Sequence, residues 1–224
     1  MKKAIRAIII SIAILGCTGS TKLTVSYTQE NIQPKKYNKL AIVALTNSDP
    51  NRLVLEEALA NKFKADGINA IITFNIFPLA GRPDVLADMN LDPEDIKNHI
   101  RKTVKENNID ALIIISLLNT RQVERYVNRS VSTVGYYDPI MYPTYNYRYY
   151  DYYWYVHNTT HNTGYYTTET TYFVETNLYD VETEKLLWTG QTKTENMSSI
   201  EAEAPKFAKI IVWDILGKKV LIRE

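Results

Sequence analysis

One pair of side chains in the sequence has the spacing of metal ligands, His157 and His161 in "HNTTH". Two imidazoles four residues apart share one face of a helix and can bind zinc there. However, the asparagine and threonines between them and the tyrosines nearby disfavour a helix. Two histidines without a third histidine or a nearby carboxylate also make a poor zinc site. We therefore predict that the chain has no metal site.

Acid–base chemistry is the next candidate, because Glu94 and Asp95 are adjacent carboxylates followed by His99. The two acids come directly after the helix start signal Asp92–Pro93, so they fall in a first helical turn, where the helix dipole favours negative charge. His99 lies on the flank of the same helix without an acidic or cysteine neighbour placed for catalysis. We interpret the acids as helix-start residues and His99 as a surface histidine.

Motifs of the common enzyme classes are missing from the sequence. It has no GxGxxG motif, no P-loop, no GxSxG motif and no pair of cysteines. Nucleotide-dependent and thiol enzymes are therefore not expected, and no cofactor is predicted. We interpret the chain as a non-enzyme. The alternative is an envelope glycan-binding protein or hydrolase whose acidic residues come together only in the folded chain.

The N-terminal stretch "MKKAIRAIIISIAILGCTGS" has the features of a targeting segment. Lys2, Lys3 and Arg6 form a positive region, and the apolar run Ala7–Leu15 that follows is too short to span a bilayer. These features predict a signal peptide over residues 1–16.

The only cysteine, Cys17, ends the apolar run in "ILGC". This stretch resembles the lipobox of bacterial lipoproteins, although Leu15 is bulkier than the usual residue. The resemblance implies that the Cys17 thiol is diacylated, that the peptide is cut before it, and that the freed amine is acylated. Several acyl chains bind a membrane essentially permanently. The alternative interpretation is that Cys17 is removed with the signal peptide.

The predicted location follows from the same resemblance. Thr18 replaces the aspartate that retains well-studied Gram-negative lipoproteins at the inner membrane, so the expectation is lipid anchoring at the outer membrane, facing the periplasm, with surface exposure left open. Removal of residues 1–16 leaves 23 basic and 25 acidic residues, a net charge of −2. Nucleic acid is therefore not an expected partner, because phosphate binding depends on clustered basic residues.

Hydrophobic patterns predict an alternation of strands and helices after residue 38. Residues 18–37 form either a tether or a weak edge strand. Strands are predicted at 39–45, 69–76 and 110–118, with the last central in the sheet, and residues 119–128 could continue it as a half-exposed arm. A helix is predicted after Asp49–Pro50, with Asp49 as its cap, and Asp92–Pro93 repeats this start signal for a second helix, with a loop over 77–90 between them. A hairpin at 170–194 precedes a last helix that starts at Ser198, Ser199 or Ala204–Pro205. The first helix is predicted to have one apolar face, and the last helix carries apolar residues in the same way; these residues are Leu55, Leu59 and Phe63 in the first and Phe207, Ile211 and Ile215 in the last.

This order predicts an α/β fold with a mixed sheet, namely a β-α-β-α-β core, an insertion, an antiparallel hairpin and a C-terminal helix. It resembles the small α/β domains of outer-membrane lipoproteins such as the curli-secretion lipoprotein CsgG and the penicillin-binding-protein activator LpoB. The matching stretches are "YNKLAIVAL", "ADGINAIIT", "DALIIISL" and "VETNLYDVETEKLLWTGQTKT". The resemblance implies assembly or accessory roles in the envelope. We divide the chain into a signal peptide (1–16), an anchor and tether (17–37) and one domain (38–224).

The insertion at 128–168 contains twelve of the seventeen tyrosines and only four charged residues. Its aromatic positions alternate and then change parity, so a single strand would carry aromatic side chains on both faces. Tyrosine offers a large area, few rotatable bonds and a hydroxyl group that tolerates water, so it is enriched in binding sites. We predict that the insertion is a contact surface for an envelope protein or for self-association. The predicted contact residues are Tyr145, Tyr147, Tyr149, Tyr150, Tyr152, Tyr153, Trp154 and Tyr155.

A structural role for the insertion is the competing interpretation, in which its tyrosines pack on their own domain. Sugar stacking is a weaker alternative, because the insertion lacks the dense acidic and amide groups that orient a saccharide.

Overall fold

The structure is a computed structural model that describes residues 20–30, 32–89, 92–123, 169–195 and 197–223. The strands of these residues are β1 Ser20–Thr28, β2 Leu40–Leu45, β3 Ala70–Ile72, β4 Ala111–Val123, β5 Glu169–Asp180 and β6 Leu186–Glu195. The helices are α1 Asp49–Ala65, α2 Pro83–Asp88, α3 Pro93–Glu106 and α4 Ile200–Gly217.

The described strands form one mixed sheet in the order β1-β6-β5-β4-β2-β3. β2 pairs in parallel with both β3 and β4, while the pairs β4–β5, β5–β6 and β6–β1 are antiparallel. The predicted α/β class with a mixed sheet is therefore confirmed. The predicted central strand is also confirmed, because β4 lies between β5 and β2.

Helices α1 and α4 cover the first face of the sheet. Leu59 and Phe63 of α1 and Ile211 of α4 are fully buried against it. Trp188 of β6 is also fully buried in this core, and its indole N–H donates to Asp214 Oδ2 at 2.7 Å. The predicted apolar faces of these helices are confirmed.

Helix α3 packs on the second face of the sheet. Val104 is buried there with Leu112 and Ile114 of β4, and Ile100 is partly buried beside them. Alternate residues of β2 and of the first half of β4 therefore face two different cores, which explains why β2 and residues 111–115 of β4 are apolar at every position.

Helix starts match the sequence signals with one correction. Asp92 caps α3 as predicted, because its Oδ1 accepts from Glu94 N at 2.8 Å. The prediction that Asp49 caps α1 is wrong, because the cap is Ser48, whose Oγ accepts from Asn51 N. Ser199 caps α4, so one of the three alternative starts is selected.

Three segments differ from the predicted boundaries. The strand expected over 69–76 ends at Ile72, because Thr73 bonds to helix α1 instead of continuing the ladder. The loop expected over 77–90 contains the short helix α2. Of the two interpretations of residues 18–37, the structure shows the edge strand, so the sheet begins at Ser20 and not after residue 38.

Candidate functional site

The predicted anchor and contact residues lie outside the residues that the structure describes. They are Cys17, Tyr145, Tyr147, Tyr149, Tyr150, Tyr152, Tyr153, Trp154 and Tyr155, and His157 and His161 lie outside as well. The structure does describe the points at which these segments join the sheet.

The Tyr-rich insertion joins the sheet through the long β4–β5 hairpin. The last parallel pair of β2 and β4 is Leu45 with Ser116, but the antiparallel ladder of β4 and β5 continues to Val123 with Glu169. The two residues that flank the segment 124–168 are therefore direct partners across an antiparallel ladder. The hairpin brings both ends of the insertion to one place at the end of the sheet.

The carboxyl ends of parallel strands are the usual ligand position in α/β proteins, and here this position holds a buried ion pair. Arg52 and Glu56 on α1 are fully buried, and Arg52 Nε donates to Glu56 Oε1 at 2.8 Å. Glu56 also accepts from Ala44 N at 3.1 Å and from Thr73 N at 2.8 Å. The carboxylate thus binds the ends of β2 and β3 to α1.

The same position is closed further by backbone contacts. Arg52 donates to Phe77 O at 2.8 Å and to Thr73 O at 3.2 Å, which fixes the segment after β3. Gly81 has a φ of +80° and approaches the backbone of Thr46 so closely that a Cβ would lie 2.3 Å from the Thr46 oxygen. Only glycine fits such an approach without displacement. The chain's own groups therefore occupy the end of β2.

A second polar cluster lies at the opposite end of the sheet, around buried Asp180. Its carboxylate accepts from Tyr37 Oη at 2.8 Å, from Lys35 Nζ at 2.9 Å and from Thr183 N at 2.7 Å. Burial by itself would raise the pKa of Asp180, but these hydrogen bonds outweigh it and lower the pKa to about 2. Burial and the neighbouring carboxylate raise the pKa of Tyr37. The cluster fastens the segment before β2 to the β5–β6 turn.

A third polar cluster crosses the second face of the sheet. Ser116, Glu175 and Gln191 are register partners on β4, β5 and β6, and Asn177 lies two residues further along β5. Glu175 is 1% exposed and accepts from Gln191 Nε2 at 3.0 Å and from Asn177 Nδ2 at 3.4 Å. The Asn177 Oδ1 atom is buried and has no hydrogen-bond partner among the described residues.

This third cluster is not among the predictions from the sequence. The available signal is the alternation in "FVETNLYD", in which Val174, Thr176 and Leu178 take one face and the polar residues Glu175 and Asn177 take the other. The second face of this half of the sheet is therefore polar, and Val25 and Tyr27, which share it on β1, are 53% and 42% exposed.

The acid–base candidates considered from the sequence lie on the surface and in the first turn of helix α3. His99 is exposed on α3, as expected of a surface histidine. Glu94 lies in the first turn of α3 and pairs with Lys97 at 3.1 Å. Within the described part of the chain, no group of three or more His, Cys, Asp or Glu residues is arranged to hold a metal ion. No helix of that part is both long enough and apolar enough to cross a membrane.

A shallow cavity of about 450 Å³ between α3 and the β5–β6 turn is lined in part by Asp110 and Glu184. Asp110 accepts from the backbone N–H groups of Asn38 at 2.7 Å and Lys39 at 2.9 Å. Glu184 accepts from Arg101 Nε at 3.1 Å. Both carboxylates of the cavity are therefore engaged in contacts that hold the fold.

Comparison with known proteins gives matches at the level of solved structures alone. No family model matches the chain, and no curated protein matches it. A PelC dodecamer from Paraburkholderia phytofirmans is 13% identical (TM-score 0.42), covering 87% of this chain and 95% of that chain. Lipoprotein GNA1162 from Neisseria meningitidis is 13% identical (TM-score 0.36), covering 80% and 96%. A PDZ domain protein from Parabacteroides distasonis is 11% identical (TM-score 0.38), covering 94% and 39%.

These similarities assign the chain to no family. They also do not show the resemblance to CsgG and LpoB that the sequence motifs indicate.

Proposed function

We propose that the protein is a lipoprotein of the outer membrane, anchored through acylated Cys17 and facing the periplasm. In this proposal it acts without catalysis, as a structural, assembly or accessory protein of the envelope. Its Tyr-rich insertion binds an envelope protein or a second copy of the chain.

The observation that carries the proposal is the β4–β5 hairpin. Its ladder continues for five residue pairs beyond the bulge at Leu117–Asn119, up to Val123 with Glu169. A paired hairpin is a stiff support, because each backbone group on its inner side is hydrogen-bonded to the neighbouring strand. A segment rich in tyrosine at the end of such a support is well placed to contact a partner without disturbing the core.

The non-catalytic part of the proposal is supported by the use of the buried polar groups. Arg52 and Glu56 occupy the usual ligand position of an α/β sheet with bonds to α1, β2 and β3. Asp180 is used to hold the β5–β6 turn. The use of the buried carboxylates of Glu56 and Asp180 in holding the fold supports a non-catalytic role.

Lipid anchoring is tested by fatty-acid labelling and detergent partitioning of the wild type and of Cys17→Ala. We expect the wild type to incorporate label and to enter the detergent phase, because several acyl chains give essentially permanent binding. Cys17→Ala should remain uncleaved or soluble and should incorporate no label. Identical fractionation of the two proteins would exclude the anchor.

The contact surface is tested by replacing Tyr150, Tyr152, Tyr153 and Tyr155 together with serine. Capture of a partner, measured by crosslinking in intact cells, should fall sharply, because tyrosines supply most of the contact area in such surfaces. The matched control is Tyr27→Ser, since Tyr27 is an exposed tyrosine on the edge strand β1. Equal capture by the two variants would contradict a contact role of the insertion.

The alternative of a glycan-binding protein or hydrolase has one observation in its favour, the cavity lined by Asp110 and Glu184. Glu184→Gln leaves the size of the side chain unchanged and removes its charge. If envelope glycan fragments bind or turn over, and Glu184→Gln abolishes this, the enzyme or glycan-binding alternative replaces our proposal.

A further inference from the structure

The start of β1 and the described end of the β4–β5 hairpin, Val123 with Glu169, lie at the same end of the sheet. Ser20 pairs with Glu195, Glu195 pairs with Thr171, and Thr171 pairs with Arg121. These four residues therefore form one row across β1, β6, β5 and β4. With strands about 4.8 Å apart, the row spans about 14 Å.

Side-chain contacts fix the start of β1 in this row. Thr21 Oγ1 lies 3.0 Å from Thr194 Oγ1 on β6 and donates to Glu203 Oε2 on α4 at 3.0 Å. Glu203 is 3% exposed and also accepts from Lys206 Nζ at 2.8 Å. Thr21, the second residue of β1, is thus tied to the neighbouring strand and to a helix, so the start of β1 is held in the fold.

The predicted anchor leaves almost no slack before this fixed point. Cys17 is three residues before Ser20. An extended chain spans at most about 3.6 Å per residue, so Ser20 lies within about 11 Å of the acylated cysteine. The hairpin extends further in the same direction, because Val123 and Glu169 lie two residues beyond the row at about 3.4 Å per residue.

The opposite end of the sheet is far from the anchor. Thr171 and Asp180 are nine residues apart on β5, which corresponds to about 30 Å. The β5–β6 turn, with exposed Lys185, lies at this distant end.

We propose that the end of the sheet formed by Ser20, Glu195, Thr171 and Arg121 faces the lipid headgroup layer. The described end of the β4–β5 hairpin, Val123 with Glu169, then also lies at the side that faces the headgroups. The inference rests on the anchor of the proposed function. It restricts a protein partner of the insertion to one at the membrane surface.

The test places a small fluorophore on a cysteine at one of two exposed positions, Arg121→Cys or Lys185→Cys, in the full lipidated chain. Acylation occupies the Cys17 thiol, so each variant has one reactive cysteine. The proteins are reconstituted in phosphatidylethanolamine–phosphatidylglycerol vesicles with a nitroxide on the lipid headgroup. We expect severalfold stronger quenching at position 121 than at position 185, and the difference should disappear in vesicles without nitroxide.

Equal quenching at both positions would mean that the sheet lies flat on the membrane, and stronger quenching at 185 would mean the reverse orientation. Either result, or quenching at neither position, overturns the inference. Shielding of position 121 that depends on protein concentration and not on vesicles would identify a second copy as the occupant and would also overturn it. Loss of fatty-acid label from Cys17 is measured separately, so failure of the anchor is distinguishable from failure of the orientation.

Discussion

Replacing the whole segment 124–168 by a four-residue turn is the most informative perturbation of the fold. Val123 and Glu169 are ladder partners, so a short turn can join them without moving either strand. If the insertion is a peripheral contact surface, shortening the loop from 45 residues to four removes about three and a half doublings of loop length. At about 0.6 kcal/mol per doubling, the free energy of unfolding should rise by about 2 kcal/mol.

The competing interpretation predicts a change of opposite sign. If the tyrosines cover the sheet, even two of them bury about 400 Å², and their loss would cost about 10 kcal/mol at about 25 cal/mol per Å². The described second face argues for the smaller change. Its polar residues Glu175, Asn177 and Gln191 bond to one another, so tyrosine rings packed on them would gain less than rings packed on an apolar face, and Val25 there is already 53% exposed.

Differential scanning calorimetry distinguishes the two signs. A gain of about 2 kcal/mol corresponds to a rise of about 4–8 °C in Tm for a domain of this size. Sedimentation of the same samples reports whether self-association is lost. A fall in Tm of several degrees, or aggregation of the deletion variant, would refute the interpretation of the insertion as peripheral.

Three further predictions concern the core and are measured by denaturant unfolding. Glu56→Gln should lower the free energy of unfolding by about 3–5 kcal/mol, because it leaves Arg52 buried without its counter-charge. The matched control Glu106→Gln, in the exposed pair with Lys102, should lower it by less than about 0.5 kcal/mol. Equal losses of stability in the two variants would contradict the buried network. Gly190→Ala should lower the free energy of unfolding by about 1–3 kcal/mol, because the added Cβ would lie 2.4 Å from the Trp188 ring. The control Gly217→Ala should leave stability nearly unchanged, because its Cβ would meet nothing within 4 Å. An unchanged stability of Gly190→Ala would contradict the packing of Gly190 against Trp188. The Asp180 carboxylate has a pKa of about 2, below its ordinary 3.8, so the stabilisation that it gives is complete above about pH 4 and is lost as the pH falls towards 2. Asp180→Asn should therefore lower the free energy of unfolding by about 2 kcal/mol at pH 7 and make it less dependent on pH between pH 4 and pH 2. The same loss of stability between pH 4 and pH 2 in the variant and the wild type would contradict the Asp180 cluster.

Much of the fold was predictable because its elements are locally encoded. The apolar runs that became β2 and β4 and the Asp–Pro start of α3 depend on neighbouring residues alone. The short helix α2 was missed because its proline and glycine neighbourhood is typical of a loop, and a six-residue helix has little periodicity to detect.

The polar clusters were not predictable, since they depend on residues far apart in the chain. Glu56 bonds to Thr73, seventeen residues away, and Tyr37 bonds to Asp180, 143 residues away. A sequence shows that such residues are polar but does not show that tertiary contacts bury them together. The β4–β5 register, which brings Val123 to Glu169 across the insertion, is non-local in the same way.

Photo-crosslinking in intact cells tests the central claim, a protein-contact role of the insertion, most directly. A photoreactive phenylalanine derivative replaces Tyr152 in the insertion or, as the control, Trp213, which is 59% exposed on the outer surface of α4. We predict that position 152 gives a discrete crosslink to an envelope protein or to a second copy and that position 213 does not. No protein crosslink from position 152, or the same products from both positions, would contradict the account.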